Sequence, residues 1–404
     1  MNKILLRDAF FATVSTFLVG WLLKTVVILH VGFLDPVHTA VHHVKLEYEN
    51  LVTDMSNGKL TDTKSDSSTI FLVNIDTLSR RDIGLLLTKI NNWNPKVIAM
   101  DVVFDKQGAD YDSSLVTVLK QISGKLVTGT FIPVNRKGEL KSELSKSDPA
   151  YRFGVEGYTN FVSASQNEVV RSFLPLHFGE EHGNGEAKPS FSLAIVKKYN
   201  EQAYGDFLKH RADLDKSAPE TIVYQHTTNQ FAHYEPRDIL NDSLSFEELR
   251  DKIIIVGFLG DSEDRHYSSF NPEGSSPDMN GVTIHANIVE MILKRDYIMQ
   301  VYPFISLVIS FVITFLIMIF FLVQFVKYHL WFHVVFKLVQ FASAVLIFAI
   351  GLWLFHSFQL RLDTLLVIAP VALSVDVLYF YDTLVQWMHR RFGYKTYLSS
   401  SHQH

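Results

Sequence analysis

Acidic side chains and one histidine follow three apolar stretches of the sequence, at the points where strands would end. The stretches are IFLVNID, VIAMDVVF and KIIIVGF, each typical of a strand that is buried on both faces of a parallel sheet. In open α/β sheets, ligands bind beyond the carboxyl ends of the strands. We therefore predict a ligand-binding edge formed by Asp76, Asp101, Asp105, Asp261, Asp264 and His266.

Carboxylates at such an edge suggest a cation site, because Ca²⁺ and Mg²⁺ take oxygen ligands. The spacing of Asp101, Asp105, Asp110 and Asp112 lacks the alternation and the closing glutamate of a calcium loop. The alternative is that Asp101 accepts backbone hydrogen bonds while the others face solvent. We favour this alternative and expect neither a metal nor another cofactor.

Composition excludes several kinds of chemistry. The chain has no cysteine, which rules out thiol catalysis and cysteine-ligated metals. Its net charge of -5 provides no basic surface for nucleic acid. No nucleophile-elbow motif or other catalytic spacing is present, so we expect a protein that is not an enzyme.

His285 lies in the segment MNGVTIHANIVEMILKRDYI, where a helix is expected to begin. We predict Thr283 as the N-cap and a helix over residues 285–296. The helix dipole opposes a positive charge at this end, which favours a neutral imidazole. The histidine is therefore either a hydrogen-bonding anchor or a ligand contact.

Alternating strand and helix signals position these residues. The chain has strand patterns at 70–76, 97–104 and 126–132, and helical patterns at 80–93 and 113–122. This order predicts an α/β fold with a parallel or mixed sheet. Further predicted elements are a helix over 35–55 before the sheet, a helix over 191–199, an extended segment over 221–225 and a strand over 252–258.

Four apolar runs are long enough to cross a bilayer: 10–31, 304–326, 338–355 and 365–384. Lysines and arginines near the chain ends and in the loop after the second run fall on one side, which predicts cytoplasmic termini in a bacterial cytoplasmic membrane. The predicted organisation is a first span within 1–31, an extracytoplasmic or periplasmic domain over 32–300, a bundle over 301–386 and a cytoplasmic tail over 387–404.

Two ionisable residues lie inside these runs. Lys24 is in the first run and Asp376 is about midway through the last. Because such residues are costly in hydrocarbon, they are normally paired or functional. We predict either a Lys24–Asp376 pair or a contact with another subunit, with a proton or ion path as a further alternative.

Several segments together resemble the CHASE2 domain, an extracytoplasmic sensor module of bacterial membrane proteins. They include VNIDTLSRRDIGLLLTKI, NPKVIAMDVVFDKQGADYDSSLVTVL, GYTNFVSASQNEVVRSFLPL, DKIIIVGFLGDSEDRHYSSF and MNGVTIHANIVEMIL. The resemblance implies one span before the domain and three after it. It adds Arg171 as a candidate ligand contact, although Asn167 and Glu168 replace the aspartate–glycine pair that family members often carry before this arginine.

Family members commonly continue into a kinase, cyclase or other output domain, whereas here only a short tail follows the last run. We therefore expect a sensory subunit that recognises a small extracytoplasmic ligand or a protein. It would signal as a homo-oligomer or through partner membrane proteins in the lipid bilayer. The alternative is a structural subunit of a membrane complex, whose extracytoplasmic domain is an interaction surface.

Overall fold

A computed structural model gives the fold of the chain. It describes residues 3–28, 69–104, 112–133, 145–161, 169–178, 187–212, 218–241, 249–260, 265–270, 276–327, 332–358 and 360–398. The chain divides into two compact units, Thr53–Tyr297 and a second unit that combines Met1–Val52 with Ile298–His404. The predicted helix over 35–55 lies outside the described residues.

A six-stranded parallel sheet forms the centre of the first unit. Its strands are β1 (Ile70–Asn74), β2 (Val97–Met100), β3 (Leu126–Thr130), β4 (Val155–Tyr158), β5 (Ala232–Tyr234) and β6 (Ile253–Gly257). They lie in the order β4-β3-β2-β6-β1-β5. Every neighbouring pair is parallel, with Leu72 opposite Ile255 and Val256 opposite Met100. The predicted α/β class is therefore confirmed.

Helices cover both faces of this sheet. They are α2 (Arg80–Asn92), α3 (Ser113–Ile122), α4 (Phe191–Tyr199), α5 (Glu201–His210), α6 (Pro236–Leu240) and α7 (Gly281–Lys294). Helix α2 packs on α3 and α6, whereas α4 and α7 pack on each other and on the strands. The strands β1, β2 and β6 are buried along their whole length because both faces are covered, which is why they read as continuous apolar runs.

Short two-residue strands connect these layers. They pair as Ser172–Phe173 with Glu220–Thr221, Leu176–His177 with Lys188–Pro189, and Arg265–His266 with Met279–Asn280. The extended segment predicted over 221–225 is thus a strand for only its first residue. Beyond it, residues 222–226 are held by hydrogen bonds to other parts of the domain.

The last helix of the domain, α7, begins earlier than its sequence indicates. Its first residue is Gly281 and its N-cap is Asn280, so the prediction of Thr283 as N-cap was wrong. The Thr283 hydroxyl instead lies 2.9 Å from the hydroxyl of Thr228, where it ties the helix to a neighbouring loop. Twelve consecutive residues from Gly281 to Ile292 are buried, which makes α7 a core helix.

The second unit is a helical bundle. Its helices are α1 (Lys3–Ile28), α8 (Pro303–Lys327), α9 (Phe332–Phe358) and α10 (Thr364–Phe392), and each contains a stretch long and apolar enough to span a membrane. Helix α10 packs against the other three. One span therefore precedes the α/β domain and three follow it, as predicted. A further two-residue pair, Met299–Gln300 with Leu360–Arg361, joins the segment before α8 to the α9–α10 connection.

Pro370 lies inside α10, and side chains of the neighbouring helices donate hydrogen bonds to the backbone carbonyls around it. A proline has no N–H, so the Leu366 carbonyl loses its usual partner four residues on. The Ser310 hydroxyl of α8 donates to this carbonyl at 3.0 Å. On α9, the amide of Gln340 donates to the carbonyls of Val371 and Ala372 at 2.8 and 2.6 Å. These contacts fix three helices together around the proline.

The two ends of the described chain meet at one end of the bundle. The Asp8 carboxylate of α1 is fully buried. It accepts hydrogen bonds from the Thr396 hydroxyl at 2.7 Å, the Tyr397 N–H at 2.8 Å and the Arg7 guanidinium at 2.8 Å. The Arg7 guanidinium lies 4.4 Å from the centre of the Tyr394 ring. We call these five residues the terminal clamp.

Candidate functional site

Asp101 stands directly after β2, at the carboxyl edge of the sheet. Its N–H donates to the Val256 carbonyl at 2.9 Å, so the ladder with β6 fixes its backbone. Two glycines leave room for its side chain: a methyl group at Gly129 would lie 3.4 Å from its Oδ1, and one at Gly257 would lie 3.3 Å from its Cβ. The neighbouring strands therefore allow a carboxylate at the middle of this edge.

His266 reaches the same place from a different element. It belongs to the two-residue strand Arg265–His266, which pairs with Met279–Asn280 immediately before α7. At the next residue, Gly281, a methyl group would lie 3.7 Å from His266 Nε2, 3.8 Å from Phe161 Cε2 and 3.9 Å from Asp101 Oδ2. A carboxylate, an imidazole and an aromatic edge thus border a single position that has no side chain.

His285, one turn into α7, completes this arrangement. Its side chain is buried, and its Nδ1 lies 2.8 Å from the Ser192 hydroxyl of α4. Its Nε2 is also buried and has no hydrogen-bonding partner among the described residues. Burial lowers the pKa of His285 to about 3, the nearby His266 adds to this shift, and a polar contact with the Thr159 backbone opposes it. The imidazole is therefore neutral at physiological pH.

Aromatic rings enclose the two histidines. The Phe161 ring centre is 4.6 Å from that of His285 and 5.3 Å from that of His266. The Phe191 ring centre lies 5.1 Å from that of His285, with the two ring planes at 73°. We call Asp101, Phe161, His266, Gly281 and His285 the carboxyl-edge cluster. It combines an acidic acceptor, two imidazoles and an aromatic wall, a set suited to orienting a small polar group.

The second half of α7 is bound to the loop around residue 226. The Asn287 carbonyl oxygen accepts from the N–H groups of Gln225 and His226 at 2.9 and 3.0 Å, and its amide donates to the His226 carbonyl at 2.9 Å. His226 Nδ1 and Lys294 Nζ each lie 2.7 Å from the Glu290 carboxylate. Burial would raise the pKa of Glu290, but hydrogen bonds from these two groups outweigh it and lower the pKa.

Asp76 and Arg171, the other two candidates within the described residues, have different immediate surroundings. Asp76 is exposed in a turn after β1, with a φ of 43°. Asn74 holds that turn, because its side chain accepts from the N–H groups of Asp76 and Leu259 at 3.0 Å. Arg171 lies near the buried Tyr224: burial and Asp278 raise the pKa of this tyrosine, while Arg171 lowers it.

Three predicted acids, Asp105, Asp261 and Asp264, lie outside the described residues, so their part in the edge stays a prediction. Of the other candidate acids, Asp112 is a helix N-cap: its carboxylate accepts from the N–H groups of Ser114 and Leu115 at 2.7 and 3.3 Å. These bonds, led by the Ser114 hydroxyl, lower the pKa of Asp112.

Asp376 of α10 has a partner that sequence reasoning did not name. Lys337 Nζ of α9 lies 3.0 and 2.8 Å from its two carboxylate oxygens. The side chain of Lys24, the predicted partner, is outside the described residues. Lys337 directly precedes the predicted third run, which begins at residue 338, but α9 already begins at Phe332 and therefore includes Lys337.

Phe161 of the carboxyl-edge cluster, and Ser192, which contacts His285, were not predicted from the sequence. Phe161 stands in GYTNF, three residues after β4, and Ser192 is the second residue of α4. Neither has a local signature, because their roles come from contacts with residues about 100 positions away in the sequence. Because the strand β4 was itself not predicted, no sequence signal indicated that Phe161 follows a strand.

The comparisons with known proteins agree with this architecture. The model of the CHASE2 domain matches residues 41–323. Searches of curated proteins and of solved structures gave no match. The matched range contains the whole α/β unit and extends into α8. The chain therefore belongs to the CHASE2 domain family, which is a family of extracytoplasmic sensory domains, and it combines this domain with four candidate membrane spans.

Proposed function

We propose that the CHASE2 domain recognises a small extracytoplasmic ligand or a protein segment at the carboxyl-edge cluster. Binding would be passed through α7 to the membrane spans and from there to a partner membrane protein or a second copy of the chain. This assignment implies a bacterial cytoplasmic membrane with both termini in the cytoplasm, in agreement with the lysines and arginines near the chain ends and in the loop after α8.

The observation that carries this proposal is the buried Nε2 of His285, which makes no hydrogen bond of normal geometry to the described residues. Buried polar atoms are normally hydrogen-bonded, and one that is not invites a functional explanation. This atom belongs to a ring that contacts Phe161, whose other neighbour is His266. A ligand that supplied a hydrogen bond here would remove the cost of an unpaired buried group.

Helix α7 supports the second half of the proposal. It carries His285 in its first half and, through Asn287 and Glu290, binds the loop around residue 226 in its second half. The chain then runs from Lys294, the last residue of α7, to Pro303, the first of α8. A change of helix position at the cluster therefore reaches the start of a membrane span after a short connection.

Recognition fits the cluster better than catalysis. Ser192 and His285 form a hydroxyl–imidazole pair, but both side chains are buried, so any molecule reaches either of them only after a local opening of the domain. Burial also lowers the pKa of His285 to about 3, which makes this histidine a poor general base. We therefore propose that the cluster binds without a chemical step.

The test uses two matched glycine substitutions in the full-length chain. Gly281→Ala adds a methyl group at ordinary contact distance from Asp101, Phe161 and His266, so the domain should fold while the cluster loses its open space. Gly205→Ala, in the middle of α5, is the control, because its methyl group would meet no atom within 4 Å. Both place alanine at a glycine within a helix.

The measurement is thermal stabilisation by a panel of amino acids, dicarboxylates, sugars, polyamines and short peptides. A compound that binds only the native state raises its stability. We expect at least one compound to stabilise the wild type and the Gly205→Ala variant but not Gly281→Ala. Stabilisation of all three proteins alike would place recognition elsewhere. If no compound acts and a partner protein co-purifies at constant stoichiometry, the sensory proposal fails.

A second candidate function, a structural subunit of a membrane complex, is favoured by the Lys337–Asp376 pair. Both side chains are about half exposed, at 41% and 53%, on helices that each contain a stretch apolar enough to span a membrane. Ionisable groups in membrane spans usually face protein or water, because hydrocarbon solvates them poorly. A partner helix that packed over this pair would provide the polar surroundings.

A double-mutant cycle distinguishes pairing within the chain from contact with a partner. If the two residues act only on each other, Lys337→Met and Asp376→Leu should together cost less than the sum of the single changes, and the mass of the detergent-solubilised complex should stay the same. Loss of a co-purifying subunit or of a dimer in the double variant would support the structural function.

A further inference from the structure

An apolar cavity lies within the bundle, on the side from which α8 begins. Its volume is about 140 Å³, and α8, α9, α10 and the paired segments before α8 and α10 contribute its walls. Of its lining residues, Val301 and Leu362 belong to the connections, whereas Ile313 and Ile347 belong to α8 and α9. Apolar protein cavities of about 150 Å³ stay dry and take up small apolar molecules.

The lining residues determine which kind of molecule can bind in the cavity. All nine lining residues are valine, leucine or isoleucine. The cavity therefore has no side-chain donor or acceptor for a quinone carbonyl, a hydroxyl group or a water molecule. Because a buried polar group without a hydrogen bond is unfavourable, an occupant with a polar group inside the cavity is disfavoured. Saturated hydrocarbon fits these walls best.

The position of the cavity identifies the source of that hydrocarbon. Ile313 is ten residues beyond Pro303, the first residue of α8, so it lies about 15 Å along the helix axis at 1.5 Å per residue. That depth is about half of a hydrocarbon core roughly 30 Å thick. Helix α9, which forms one wall, has only 22% of its spanning stretch buried, and the cavity is partly open. In a membrane, lipid chains would be the hydrocarbon nearest to this helix and to the cavity beside it.

We propose that this cavity holds part of the acyl chain of a membrane lipid. An empty cavity lowers stability in proportion to its volume, and an acyl chain restores the missing dispersion contacts. The occupant would contact Val301 and Leu360, which belong to or adjoin the paired segments Met299–Gln300 and Leu360–Arg361. Lipid at this place would thus brace the segment that leads from the CHASE2 domain into α8. The proposal does not depend on ligand binding at the carboxyl-edge cluster.

The experiment uses the full-length chain in nanodiscs that contain a phosphatidylcholine with a photoreactive diazirine midway along one acyl chain. After irradiation, labelled residues are mapped by peptide mass spectrometry. We expect labelling of Ile313, Ile347 and Val367 in addition to the outward-facing residues of the same helices. Val367→Phe, which fills the cavity, should remove the labelling of Ile313 and Ile347.

Two further variants keep the test decisive. Leu316→Phe, on an exposed part of α8, is the matched control and should leave the labelling of the cavity residues unchanged. Ile350→Trp acts at a half-exposed lining residue and should also reduce it, even if Val367→Phe fails to fold. Cavity labelling that is absent in the wild type, or that survives both cavity variants, would overturn the proposal. A different apolar molecule that co-purifies with the wild type and is lost in these variants would also overturn it.

Discussion

The terminal clamp of the bundle and the carboxyl-edge cluster of the CHASE2 domain each bury an ionisable side chain. They differ in how many of its hydrogen-bonding atoms have a partner. In the clamp, both carboxylate oxygens of Asp8 accept hydrogen bonds, from Arg7 on one side and from Thr396 and Tyr397 on the other. In the cluster, His285 uses only one of its ring nitrogens, towards Ser192, while the other has no partner among the described residues.

This difference distinguishes a structural contact, which holds one arrangement, from a site that can gain a hydrogen bond when a ligand binds. A buried polar group with all its bonds made stabilises one arrangement, because any movement breaks a bond without a replacement. A buried group with an open bond gains if a new partner arrives. We therefore interpret the clamp as structural and the cluster as the site of recognition, and the following changes test this contrast.

The largest effect is expected from Asp8→Ala. It leaves the Thr396 hydroxyl and the Tyr397 N–H without their acceptor, at about 1–3 kcal/mol for each buried group. Unfolding of the detergent-solubilised bundle should therefore become easier by about 2–4 kcal/mol. Asp382→Ala is the control: its carboxylate binds Gln386 in the same helix, an interaction worth only a few tenths of a kcal/mol. Equal losses of unfolding free energy in the two variants would show that the terminal clamp contributes no more to stability than an ordinary contact within one helix.

Asn287→Ala should weaken the CHASE2 domain rather than the bundle. The variant loses three bonds to Gln225 and His226, and we expect a cost of about 1–3 kcal/mol. Hydrogen exchange followed by mass spectrometry in the full-length chain should show faster exchange in α7 and in residues 222–226. Unchanged exchange in these segments would contradict the view that α7 is held by this loop.

Acid should destabilise the domain through His285. Its pKa is about 3 in the folded domain and 6.5 ordinarily, so between these values the unfolded chain binds the extra proton. Stability is therefore fully present above about pH 6.5 and falls by about 1.4 kcal/mol per pH unit as the pH decreases towards about 3. His285→Gln should flatten this slope, measured by exchange of the β6 amides, whereas His233→Gln on the exposed edge strand should retain it. Parallel slopes in all three proteins would mean that His285 is already charged or is exposed.

The smallest expected effect is a gain in the stability of the domain. Gly281→Ala should stabilise the domain by about 0.4–1 kcal/mol, because alanine has less freedom than glycine in the unfolded chain and its methyl group fits. A loss of stability, measured by thermal unfolding against Gly205→Ala, would show that the cluster has no free space beside Asp101.

The central sheet was the most predictable part of the fold. Strands β1, β2 and β6 are buried on both faces, so their sequences are continuous apolar runs that identify them without any tertiary information. Helices α3 and α4 were predicted with their observed bounds because their apolar periodicity is regular. Strands β4 and β5 were missed. Their sequences, VEGY and AHY, are short and partly exposed, and only the neighbouring strand defines them.

The candidate site was only partly predictable. The positions of Asp101 and His266 after strands indicated a shared edge, and both border Gly281 in the structure. Asp76 also follows a strand, β1, but it lies in an exposed turn that Asn74 holds. The contributions of Phe161 and Ser192, and the pairing of Lys337 with Asp376, depend on contacts between distant segments. Local patterns do not encode such contacts.

The most direct test of the account asks whether a change at the cluster reaches the membrane end of the domain. Because the chain has no cysteine, His266→Cys can be alkylated selectively in the full-length protein in nanodiscs, and Leu85→Cys on the exposed side of α2 provides the control. Hydrogen exchange is then measured before and after alkylation. We predict altered exchange over residues 288–301 for the adduct at position 266 and none for the adduct at position 85. Exchange that changes only beside position 266, with 288–301 unaffected, would contradict coupling through α7.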